Sequence, residues 1–416
     1  MTNKAVIVLG LRGDEDEVGV VERLGYRVLF FATTVSLEQA LRVDVPVEMA
    51  LNDEDAAIAR AIRLGQRFDI RAVYTLHEYR VPLAARMATA LGLRHGLPYE
   101  AALNCRNKLR TRRLLARHGI GSAAFTTVRT PCDVDAALER VPLPVVVKPT
   151  NDAGSHLVAR CDTPDAVREA VEAILAAREN WVGQVLDPEV LVEEYLDGPE
   201  VSVEACTAAG ETTVLAITAK RVSPPPFATE VGHTVPAPLP ATEADAVRQL
   251  VTDALAAVGV TDTVTHTEVK LTQRGPRIVE INARPGGDRI MELVRAVTGY
   301  DLAELSLHLA LGGTLADAPR HAVMAPSAAI RFLVADQDGT LVDDGAQGAY
   351  ELPGLQQLHL YVANGDPVER TTCNFNRLGY VIVHGTSEQP ADTLADEIVQ
   401  HLPVRVVAPA PACMGA

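Results

Sequence analysis

The amino-acid sequence predicts a protein of several domains that combines α/β and α+β architecture. Its 416 residues suffice for roughly three domains of about 150 residues each. The first hundred residues alternate short apolar runs with helical patterns, which is typical of a parallel sheet covered on both faces. Further along, apolar runs are separated by a single helix and then by turns, which predicts a small α+β unit followed by a mostly β domain.

The first 105 residues are predicted to form the parallel α/β domain. Strands and helices alternate in it, with strands at 5–9, 27–31 and 71–75 and helices at 14–24, 53–66 and 81–91. Ligands of such sheets bind beyond the carboxyl ends of the strands. His77, Glu78 and Arg80 follow the third strand, so they are candidate ligand contacts, and a solvated loop explains them equally well.

Residues 106–315 are predicted to hold the functional core, with a small subdomain at 124–205. Strands are predicted at 145–148, 190–195 and 201–207, with one helix at 163–180. Because each proline lacks an N–H donor and restricts its predecessor, residues 223–240 are predicted to form a long shaped loop. A helix and a β-hairpin follow, with the helix at 242–258 and the strands at 264–272 and 277–282.

The last hundred residues, 316–416, are predicted to form a separate and mostly β domain. Its strands are expected at 328–333, 357–362 and 379–384, and its helix at 391–401. The sequence contains no internal repeat that would change this division into three domains.

Charge and composition exclude several classes of protein. The 38 basic and 54 acidic side chains give a net charge of −16, and a negative surface repels nucleic-acid phosphates and anionic lipids. A hydrophobic fraction of 48% with 22% charged residues is typical of a folded globular chain. No apolar run approaches the ~20 residues that span a bilayer, and acidic residues follow the run at 5–11. We expect a cytoplasmic protein without nucleic-acid or membrane partners.

The cysteines give no sign of a metal or redox site. All six are scattered without a C-x-x-C pair, and a chain of this size does not need a disulfide framework. We expect free thiols in a reducing cytoplasm.

The hairpin carries the strongest candidate metal site. With its turn near Arg274, antiparallel pairing places Glu268 opposite Glu280 and His266 opposite Asn282. Alternation then sends five side chains to one face: Glu268, Lys270, Ile278, Glu280 and Asn282. Facing carboxylates are destabilising unless a cation lies between them, and carboxylate and amide oxygens are ligands that Mg²⁺ prefers. A solvated acidic face is an equally good interpretation of the hairpin alone.

The hairpin exit has the composition of an anion-binding turn. Residues 282–288 read N-A-R-P-G-G-D, and the Arg284 guanidinium offers a planar fork to a carboxylate or to developing negative charge. Gly286 and Gly287 permit close approach of the backbone. By itself this pattern is better explained as a plain hairpin exit with a surface arginine.

Two lysines and one acidic segment complete the candidate site. Lys148 ends an apolar strand before the loop that contains Gly154 and Ser155, an arrangement suited to phosphate. Lys108 alone is better explained by a solvated helix face. In the segment 191–204, a strand end with carboxylate and backbone groups can pair with adenine, and a carboxylate seven residues on can accept both ribose hydroxyls. Out of context the segment is a charged turn.

Taken in order, these motifs resemble the ATP-grasp superfamily of carboxylate-amine ligases, and most closely the bacterial L-amino acid ligases that form dipeptides. The motifs are weak individually but specific as an ordered set that spans essentially the whole chain: Lys108, Lys148, Glu193 to Leu196, Glu200, Glu268, Glu280 and Asn282. The resemblance implies a Rossmann-like N-terminal domain before the ATP-grasp core, a lid subdomain at 124–205 and a mostly β C-terminal domain.

The resemblance also implies the ligands of these residues. ATP phosphates would contact Lys108, Lys148 and the loop at Ser155. Adenine would contact four consecutive residues, Glu193, Glu194, Tyr195 and Leu196, and the ribose would contact Glu200. Two Mg²⁺ ions, for which Mn²⁺ is an acceptable substitute, would be held by Glu268, Glu280 and Asn282.

Two further matches point to amino-acid substrates. Glu230 and His233 resemble the Glu-x-x-His element that lines the amino-acid site of L-amino acid ligases, and Arg284 with Gly287 resembles the pair that holds the substrate carboxylate and its acyl phosphate. We therefore expect Glu230, His233 and Arg284 to be catalytic and, together with Gly287 and Glu78, to bind substrate. Arg284 would stabilise the oxyanion, and Glu230 and His233 would bind an ammonium or carboxamide or take the proton of the nucleophile.

The sequence departs from the family pattern at two informative positions. Leu157 stands where many relatives carry glycine, which affects the lid over the γ-phosphate. His266 stands two residues before Glu268, where D-alanine:D-alanine ligases place an arginine. The second departure argues against that branch and leaves Arg284 as the main cation at the substrate.

Three hypotheses about function follow. The first is a ligase that joins a small-molecule carboxylate to an amine, in practice two amino acids, and that acts as a homodimer. The second is an ATP-grasp enzyme for another substrate class, purine-pathway-like or carboxylase-like, although the chain has no biotin-carrier segment. The third is a non-catalytic nucleotide-binding protein, which retention of every charged ATP and Mg²⁺ position disfavours.

Overall fold

The N-terminal region forms a parallel sheet in the computed structural model, which describes residues 3–13, 15–224, 227, 229–343, 345 and 352–408. The elements in chain order are β1 Lys4–Leu9, α1 Glu17–Arg23, β2 Arg27–Ala32, α2 Leu37–Arg42, β3 Val45–Glu48, α3 Glu54–Gly65, β4 Asp69–Tyr74 and α4 Val81–Ala90. The strand order is β3-β2-β1-β4, all parallel. Five of the six residues of β1 are buried, as expected for a strand covered on both faces. The predicted parallel α/β architecture is confirmed.

Sequence analysis missed one helix and one strand of this N-terminal region. Helix α2 has no buried residue and β3 has one, so neither carries an apolar period to detect. The first residue of the predicted helix at 14–24, Asp14, lies outside the described residues, and α1 begins at Glu17 after an Asp16 cap whose carboxylate accepts the Gly19 N–H.

A small antiparallel sheet follows two connecting helices, α5 Tyr99–Arg106 and α6 Lys108–Arg117. The elements of this lid subdomain are β5 Phe125–Val128, α7 Val134–Arg140, β6 Val145–Pro149, β7 Ala159–Cys161, α8 Pro164–Ala176 and β8 Val190–Glu194. Its strand order is β5-β8-β6-β7. Val134, Val167 and Val171 pack against the sheet in a separate hydrophobic core.

The rest of the chain is built on one eight-stranded sheet. In chain order, the elements of this part of the chain are β9 Glu200–Ala208, β10 Glu211–Val222, β11 Glu230–Val235, α9 Ala241–Val258, β12 Thr263–Thr272, β13 Gly275–Asn282, α10 Ile290–Thr298, α11 Leu302–Ala310, β14 Ser327–Leu333, β15 Gly339–Asp343, β16 Leu355–Leu360, β17 Pro367–Val368, β18 Gly379–Gly385, α12 Ala391–His401 and β19 Val404–Val407. The strand order of the large sheet is β13-β12-β9-β10-β11-β14-β18-β16. Strands β17, β15 and β19 form a separate small sheet.

The prediction that residues 223–240 form one long loop was wrong for its second part. Strand β11 pairs with β10 on one side and with β14 on the other. The residues of β11 include no proline; Pro236 follows them and Pro224 precedes them. Proline therefore limits the ends of this segment and leaves its interior free to donate to both neighbours.

The predicted hairpin register is confirmed at its functional end. Glu268 pairs with Glu280, and His266 pairs with Asn282. The register shifts after Glu268, so that Val269 pairs with Ile278, and Ile278 points into the apolar core. The prediction that Ile278 shares a face with Glu280 was therefore wrong, because a bulge breaks the two-residue alternation between them.

The C-terminal strands extend the sheet of the preceding region. Strand β14 pairs with β11 and β18 pairs with β14, so the sheet runs unbroken across residue 315. Within the described part of the chain, no helix is both long and apolar enough to cross a membrane.

Candidate active site

The predicted metal ligands lie at one end of the large sheet. The Asn282 amide lies between two carboxylates, and its nitrogen donates to Glu280 Oε1 at 3.3 Å and to Glu78 Oε2 at 3.2 Å when it is the atom turned toward them. Glu268 and Glu280 face each other across the hairpin, and two carboxylates with an amide oxygen are ligands that Mg²⁺ prefers. The residues present therefore fit a magnesium ion.

Lys220, which the sequence analysis did not single out, lies among three carboxylates. Its Nζ is 2.8 Å from Glu200, 2.7 Å from Glu230 and 2.7 Å from Glu268. Burial lowers the pKa of this ammonium, but the three carboxylates outweigh burial and hold the pKa well above its usual value. The side chain thus stays charged in a buried position. A lysine inside the apolar pattern of β10 was the available signal, but no element had been assigned to residues 211–222.

Glu193 is held by two cations instead of lying open to a ligand. Lys148 Nζ is 2.6 Å from its Oε2 and Arg112 Nε is 2.7 Å from its Oε1. Burial raises the pKa of the Glu193 carboxyl, but Arg112 and Lys148 outweigh burial and lower it. For the Lys148 ammonium, burial has the opposite effect and lowers the pKa. Arg112 had no local signal in the sequence, since it is one of several arginines in α6.

Lys108 lies at the start of α6, where it connects the lid loop to the metal ligands. Asn107 caps this helix by accepting the Arg110 N–H. Lys108 Nζ donates to Asp152 O at 2.7 Å and to Glu280 Oε1 at 3.1 Å. The two lysines predicted to bind phosphate, Lys108 and Lys148, are both buried, and each holds a carboxylate.

The lid loop after β6 has an unusual backbone. Gly154, Ser155 and Leu157 have positive φ angles of 69°, 56° and 56°, a region that residues other than glycine seldom adopt. Ser155 is exposed on this loop. The loop is anchored through Asp152, whose carboxylate accepts the Tyr79 hydroxyl at 2.7 Å and lies 2.7 Å from His156 Nδ1.

The segment predicted to contact adenine joins the lid to the large sheet. The Glu194 N–H donates to Ala124 O at 2.8 Å, and the Glu194 carboxylate pairs with Arg274. The Tyr195 N–H donates to Pro144 O at 3.1 Å, and Leu196 is buried. Glu200, at the start of β9, pairs with Lys220 and lies 3.3 Å from Lys270.

The predicted substrate carboxylate site lies where the N-terminal domain meets the hairpin exit. Arg284 Nε is 2.8 Å from Glu78 Oε2, so the two residues predicted to bind substrate pair with each other. Arg12 donates to Pro285 O and Gly286 O, both at 3.1 Å, and fixes the exit turn. A Cβ added at Gly287 would have no neighbour within 4 Å, so there is open space beside the backbone at this residue.

The predicted Glu-x-x-His pair lies with two residues to which the sequence analysis gave no role. His233 is completely buried in β11, and its Nε2 is 3.7 Å from both Glu230 Oε2 and Asp288 Oδ2. Arg377 of the C-terminal region pairs with Asp288 at 2.7 and 3.0 Å. Burial raises the pKa of the Asp288 carboxyl, but His233 and Arg377 outweigh burial and hold the pKa well below its usual value. Asp288 directly follows Gly287 in the sequence; Arg377 had no local signal.

Lys220 brings three predicted subsites into one contact network. The sequence analysis assigned its three partners separately, Glu200 to the ribose, Glu230 to the substrate and Glu268 to the metal. One carboxylate oxygen from each of them lies within 4.8 Å of the others. Lys108, which is predicted to bind phosphate, pairs with the predicted metal ligand Glu280 next to this network. The arrangement can hold a nucleotide phosphate, a divalent cation and a substrate carboxylate next to one another.

Comparison with known proteins agrees with this geometry. Residues 141–292 match the ATP-grasp domain family, and residues 331–407 match L-amino acid ligase C-terminal domain 2. An uncharacterized Sinorhizobium fredii protein is 30% identical over 389 residues, which cover 92% of this chain and 79% of that protein. The alanine–anticapsin ligase of Bacillus subtilis is 29% identical over 64% of this chain, a match that spans 59% of that ligase.

A solved structure extends the similarity to the whole fold. The crystal structure of L-amino acid ligase from Bacillus licheniformis superposes with a TM-score of 0.79 at 25% identity, covering 99% of this chain and 100% of that one. The domain families, the relative matched along most of its length and the shared fold agree with the ordered site motifs. The chain therefore belongs to the ATP-grasp ligases, enzymes that form C–N bonds, and within them to the L-amino acid ligase family.

Proposed function

We propose that this protein activates the carboxylate of one amino acid as an acyl phosphate, at the expense of ATP, and joins it to the amine of a second amino acid. The products are an amide or dipeptide, ADP and phosphate. The observation that carries the proposal is Lys220, within 2.8 Å of Glu200, Glu230 and Glu268, which couples the nucleotide, metal and substrate sides. The name of the alanine–anticapsin ligase supports an amino acid as one substrate.

Glu268, Glu280 and Asn282 are the residues that would hold two Mg²⁺ ions, with Mn²⁺ as a substitute. When bound, the metal supplies positive charge to the phosphates and so lowers the cost of phosphoryl transfer. Lys108 and Lys148 contribute fixed charge on the same side. Glu194, Tyr195 and Leu196 would contact adenine, and Glu200 would contact the ribose. The buried Glu193 carboxylate would instead orient Lys148 toward the phosphates.

The chain's own residues account for the remaining steps. Arg284 exchanges Glu78 for the substrate carboxylate and holds it in line with the γ-phosphate, where positioning supplies much of the rate. After phosphoryl transfer the amine attacks the acyl carbon, and Arg284 with the open backbone at Gly287 stabilises the oxyanion. His233 accepts the proton of the amine, a role suited to imidazole at neutral pH. The lid excludes water from the acyl phosphate.

The test is phosphate release from ATP and Mg²⁺ across the twenty amino acids, offered singly and in all pairs, with mass spectrometry of every positive reaction. We expect release that requires a pair and a product at the summed mass minus water. The Glu280→Gln variant should lose at least a hundredfold in rate. Phosphate release with no condensed product in any pair would contradict the proposal.

A homodimer remains a prediction from the sequence. Light scattering of the purified protein tests it, since the monomer mass is 44.5 kDa and a dimer has twice that mass.

A further inference from the structure

The segment between α8 and β8 of the lid subdomain is folded on itself. We call residues 179–185 the strap. The buried Asn180 side chain accepts the backbone N–H groups of Val182 at 3.1 Å and of Gln184 at 3.0 Å. Its amide also donates to Gln184 Oε1 at 3.2 Å, and Gly183 adopts a positive φ of 70°, which glycine tolerates without strain. The strap is therefore a preformed unit within the lid.

The N-terminal domain holds the strap through one side chain. Asn52, in the turn before α3, donates its Nδ2 to Val182 O at 2.7 Å and to Gly183 O at 3.0 Å. Its Oδ1 accepts the Arg80 guanidinium at 2.8 Å, and Arg80 is buried. Because arginine has only donors, it turns the amide oxygen toward itself and leaves both amide hydrogens for the strap. We call the two hydrogen bonds from Asn52 to the strap the latch.

The short turn that begins at Glu78 joins the strap to the site. Gln184 Nε2 donates to Tyr79 O at 3.1 Å, and the Tyr79 hydroxyl donates to Asp152 of the lid loop. In the same turn, Glu78 pairs with Arg284, the predicted carboxylate contact. The residue after Tyr79 is the arginine that orients the latch. One turn of the N-terminal domain therefore connects the strap, the lid loop and the predicted substrate arginine.

The far end of the strap lies against the predicted phosphate side of the site. Asn151 of the lid loop donates to Val185 O at 3.0 Å, and its Oδ1 accepts the Asp187 N–H at 3.0 Å. The Asp187 carboxylate accepts Asn107 Nδ2 at 2.7 Å and the Thr150 hydroxyl at 2.6 Å. Asn107 is the cap of α6, which begins with a lysine predicted to bind phosphate. The strap is thus fixed to the lid loop at one end and to the N-terminal domain by the latch.

We propose that Asn52 is a positioning residue for the ligase reaction, which holds the strap over the mouth of the site and thereby directs the acyl phosphate to the amine instead of to water. The inference rests on the proposed function. The strap contacts all three parts of the chain, because its Trp181 ring also lies beside Phe375 of the C-terminal region. Closing an active site prevents hydrolysis of a reactive intermediate. Asn52 acts on the reaction only through the strap.

The side reaction that the latch suppresses can be recognised by an isotope label. Water adds to the acyl carbon and loses a proton to solvent, the bond from that carbon to the phosphate oxygen breaks, and the amino acid is regenerated. The phosphate leaves with one oxygen of the original carboxylate. Direct hydrolysis of ATP gives phosphate whose new oxygen comes from water. Amino acids labelled with heavy oxygen in the carboxylate therefore distinguish loss of the acyl phosphate from simple ATP hydrolysis.

Asn52→Asp tests the latch with little other change. The new carboxylate still accepts Arg80, but it has no hydrogen to donate to the two carbonyl oxygens of the strap. Two lost hydrogen bonds of ordinary strength shift an opening equilibrium by about tenfold. In the protein without ligands, we expect the strap amides to exchange hydrogen about tenfold faster in the variant. During turnover, labelled phosphate released in excess of condensed product should rise by about the same factor.

Two further amide-to-acid substitutions complete the series. Gln184→Glu removes the single donor to Tyr79 O and keeps the acceptor oxygen of the side chain, so both quantities should rise by about two- to tenfold. It decides the question if Asn52→Asp does not fold. Gln356→Glu is the matched control, because it removes one amide donor to a backbone carbonyl, Gly354 O at 3.2 Å, from an exposed position on β16. It should behave as the wild type.

The outcomes separate this inference from the proposed function. Unchanged hydrogen exchange in Asn52→Asp would overturn the latch. Faster exchange with an unchanged ratio of phosphate to product, or excess phosphate without the label, would overturn the role of the strap in guarding the acyl phosphate. Each of these results leaves the ligase reaction standing. A wild-type protein that forms no product with any pair of amino acids would contradict the ligase proposal, and the guarding role with it.

Discussion

Lys108, Lys148 and Lys220 each hold at least one carboxylate of the site, and all three side chains are nearly buried. Burying a charge costs several kcal/mol, which only well-placed partners offset. Such pairs contribute little net stability, but they fix the directions of the carboxylates before any ligand arrives. Preorganised charge of this kind is what electrostatic catalysis requires.

Lys220 gives the clearest prediction at this scale. Replacing it by methionine leaves three partly exposed carboxylates near one another, with 15–23% of each side chain exposed. The cost should therefore lie below the about 3–5 kcal/mol that is typical of removing one partner of a fully buried ion pair. We expect Lys220→Met to melt several degrees below the wild type in EDTA. Added Mg²⁺ should recover part of the loss, because it replaces the missing cation at Glu268. Differential scanning calorimetry with and without the metal measures both effects.

The neighbouring Lys270 supplies the matched control. Its Nζ lies 3.3 Å from Glu200 and its side chain is more exposed, at 22% against 3% for Lys220. Lys270→Met should therefore change the melting temperature little in either condition. A Lys220→Met protein as stable in EDTA as the wild type would contradict the assigned charge balance.

At the scale of secondary-structure elements, the lid subdomain meets the C-terminal region through aromatic side chains. The Trp181 ring centre is 4.8 Å from that of His156 and 6.2 Å from that of Phe375. Trp181 and Phe375 are largely exposed, so this contact lies at the mouth between the two regions. Trp181 is also the one tryptophan of the chain, which makes it a specific reporter of lid position.

We predict that ATP with Mg²⁺ shifts the Trp181 emission to shorter wavelength, because closure of the lid removes water from the exposed ring. Phe375→Ala should reduce the shift by removing one partner. Trp181→Phe should abolish the signal and serves as the blank in a fluorescence titration. An emission spectrum unchanged at saturating nucleotide would show that this contact does not move with the lid.

Helix α12 is attached to the large sheet by an ionic cluster. Arg331, buried in β14, lies 2.5 Å from Asp392 and 2.7 Å from Asp396, and Arg221 of β10 lies 2.8 Å from each. Burial raises the pKa values of both aspartates, but the hydrogen bond from Thr234 to Asp392 and the two arginines at both residues outweigh burial and lower them. The stability they contribute is therefore present above their unfolded pKa of about 3.9 and is lost as the pH falls through the lower folded values.

We predict that the Asp392→Asn, Asp396→Asn double variant is less stable than the wild type at pH 7 by about 1–3 kcal/mol, a value discounted for the partial exposure of both aspartates. Its stability should also fall less steeply below pH about 4. Urea unfolding at several pH values measures both effects. Asp245→Asn, which removes an exposed pair with Arg248, should change stability by less than about 0.5 kcal/mol. Parallel acid profiles of the wild type and double variant would refute the role of the cluster.

The hydrophobic periodicity of the sequence was sufficient to predict the helices and strands in which buried residues recur at regular intervals. The register of the hairpin, with Glu268 opposite Glu280, followed from its turn and a two-residue period. The bulge next to this pair could not be predicted in the same way, because one inserted residue leaves no trace in the composition of the strand. Strand β11 was missed because prolines flank it, and nothing local shows that β10 and β14 pair with it on both sides.

Long-range contacts explain which site residues the sequence left out. Ordered motifs were enough to select Lys108, Lys148 and the hairpin carboxylates. Arg112 and Arg377 were not singled out, because each pairs with a carboxylate 81 or 89 residues away in the chain. Lys220 was not singled out, because its three partners, Glu200, Glu230 and Glu268, lie on three other strands. Only the folded sheet brings such pairs together, so their roles had to be read from the structure.

At the scale of the whole molecule, the large sheet joins the core and the C-terminal region into one unit. Strand β11 lies between β10 of the core and β14 of the C-terminal region, and it carries Glu230 and His233. The C-terminal turn at 374–377 holds Glu230 and Asp288. Both the sheet and the proposed substrate side of the site therefore depend on residues beyond 315.

We predict that a fragment of residues 1–315 does not form a soluble, native protein. Its β11 would become an edge strand with free N–H and C=O groups, a template for aggregation, and Asp288 would lose Arg377 as its buried partner, a costly state for a carboxylate. Light scattering and circular dichroism of the fragment should show aggregates or loss of native packing. Co-expression with residues 316–416 should restore solubility if the two parts fold as one sheet, because pairing of β14 with β11 covers the same edge. A soluble, monomeric fragment that releases phosphate from ATP would instead show that the core folds independently and that the C-terminal strands serve only the substrate site.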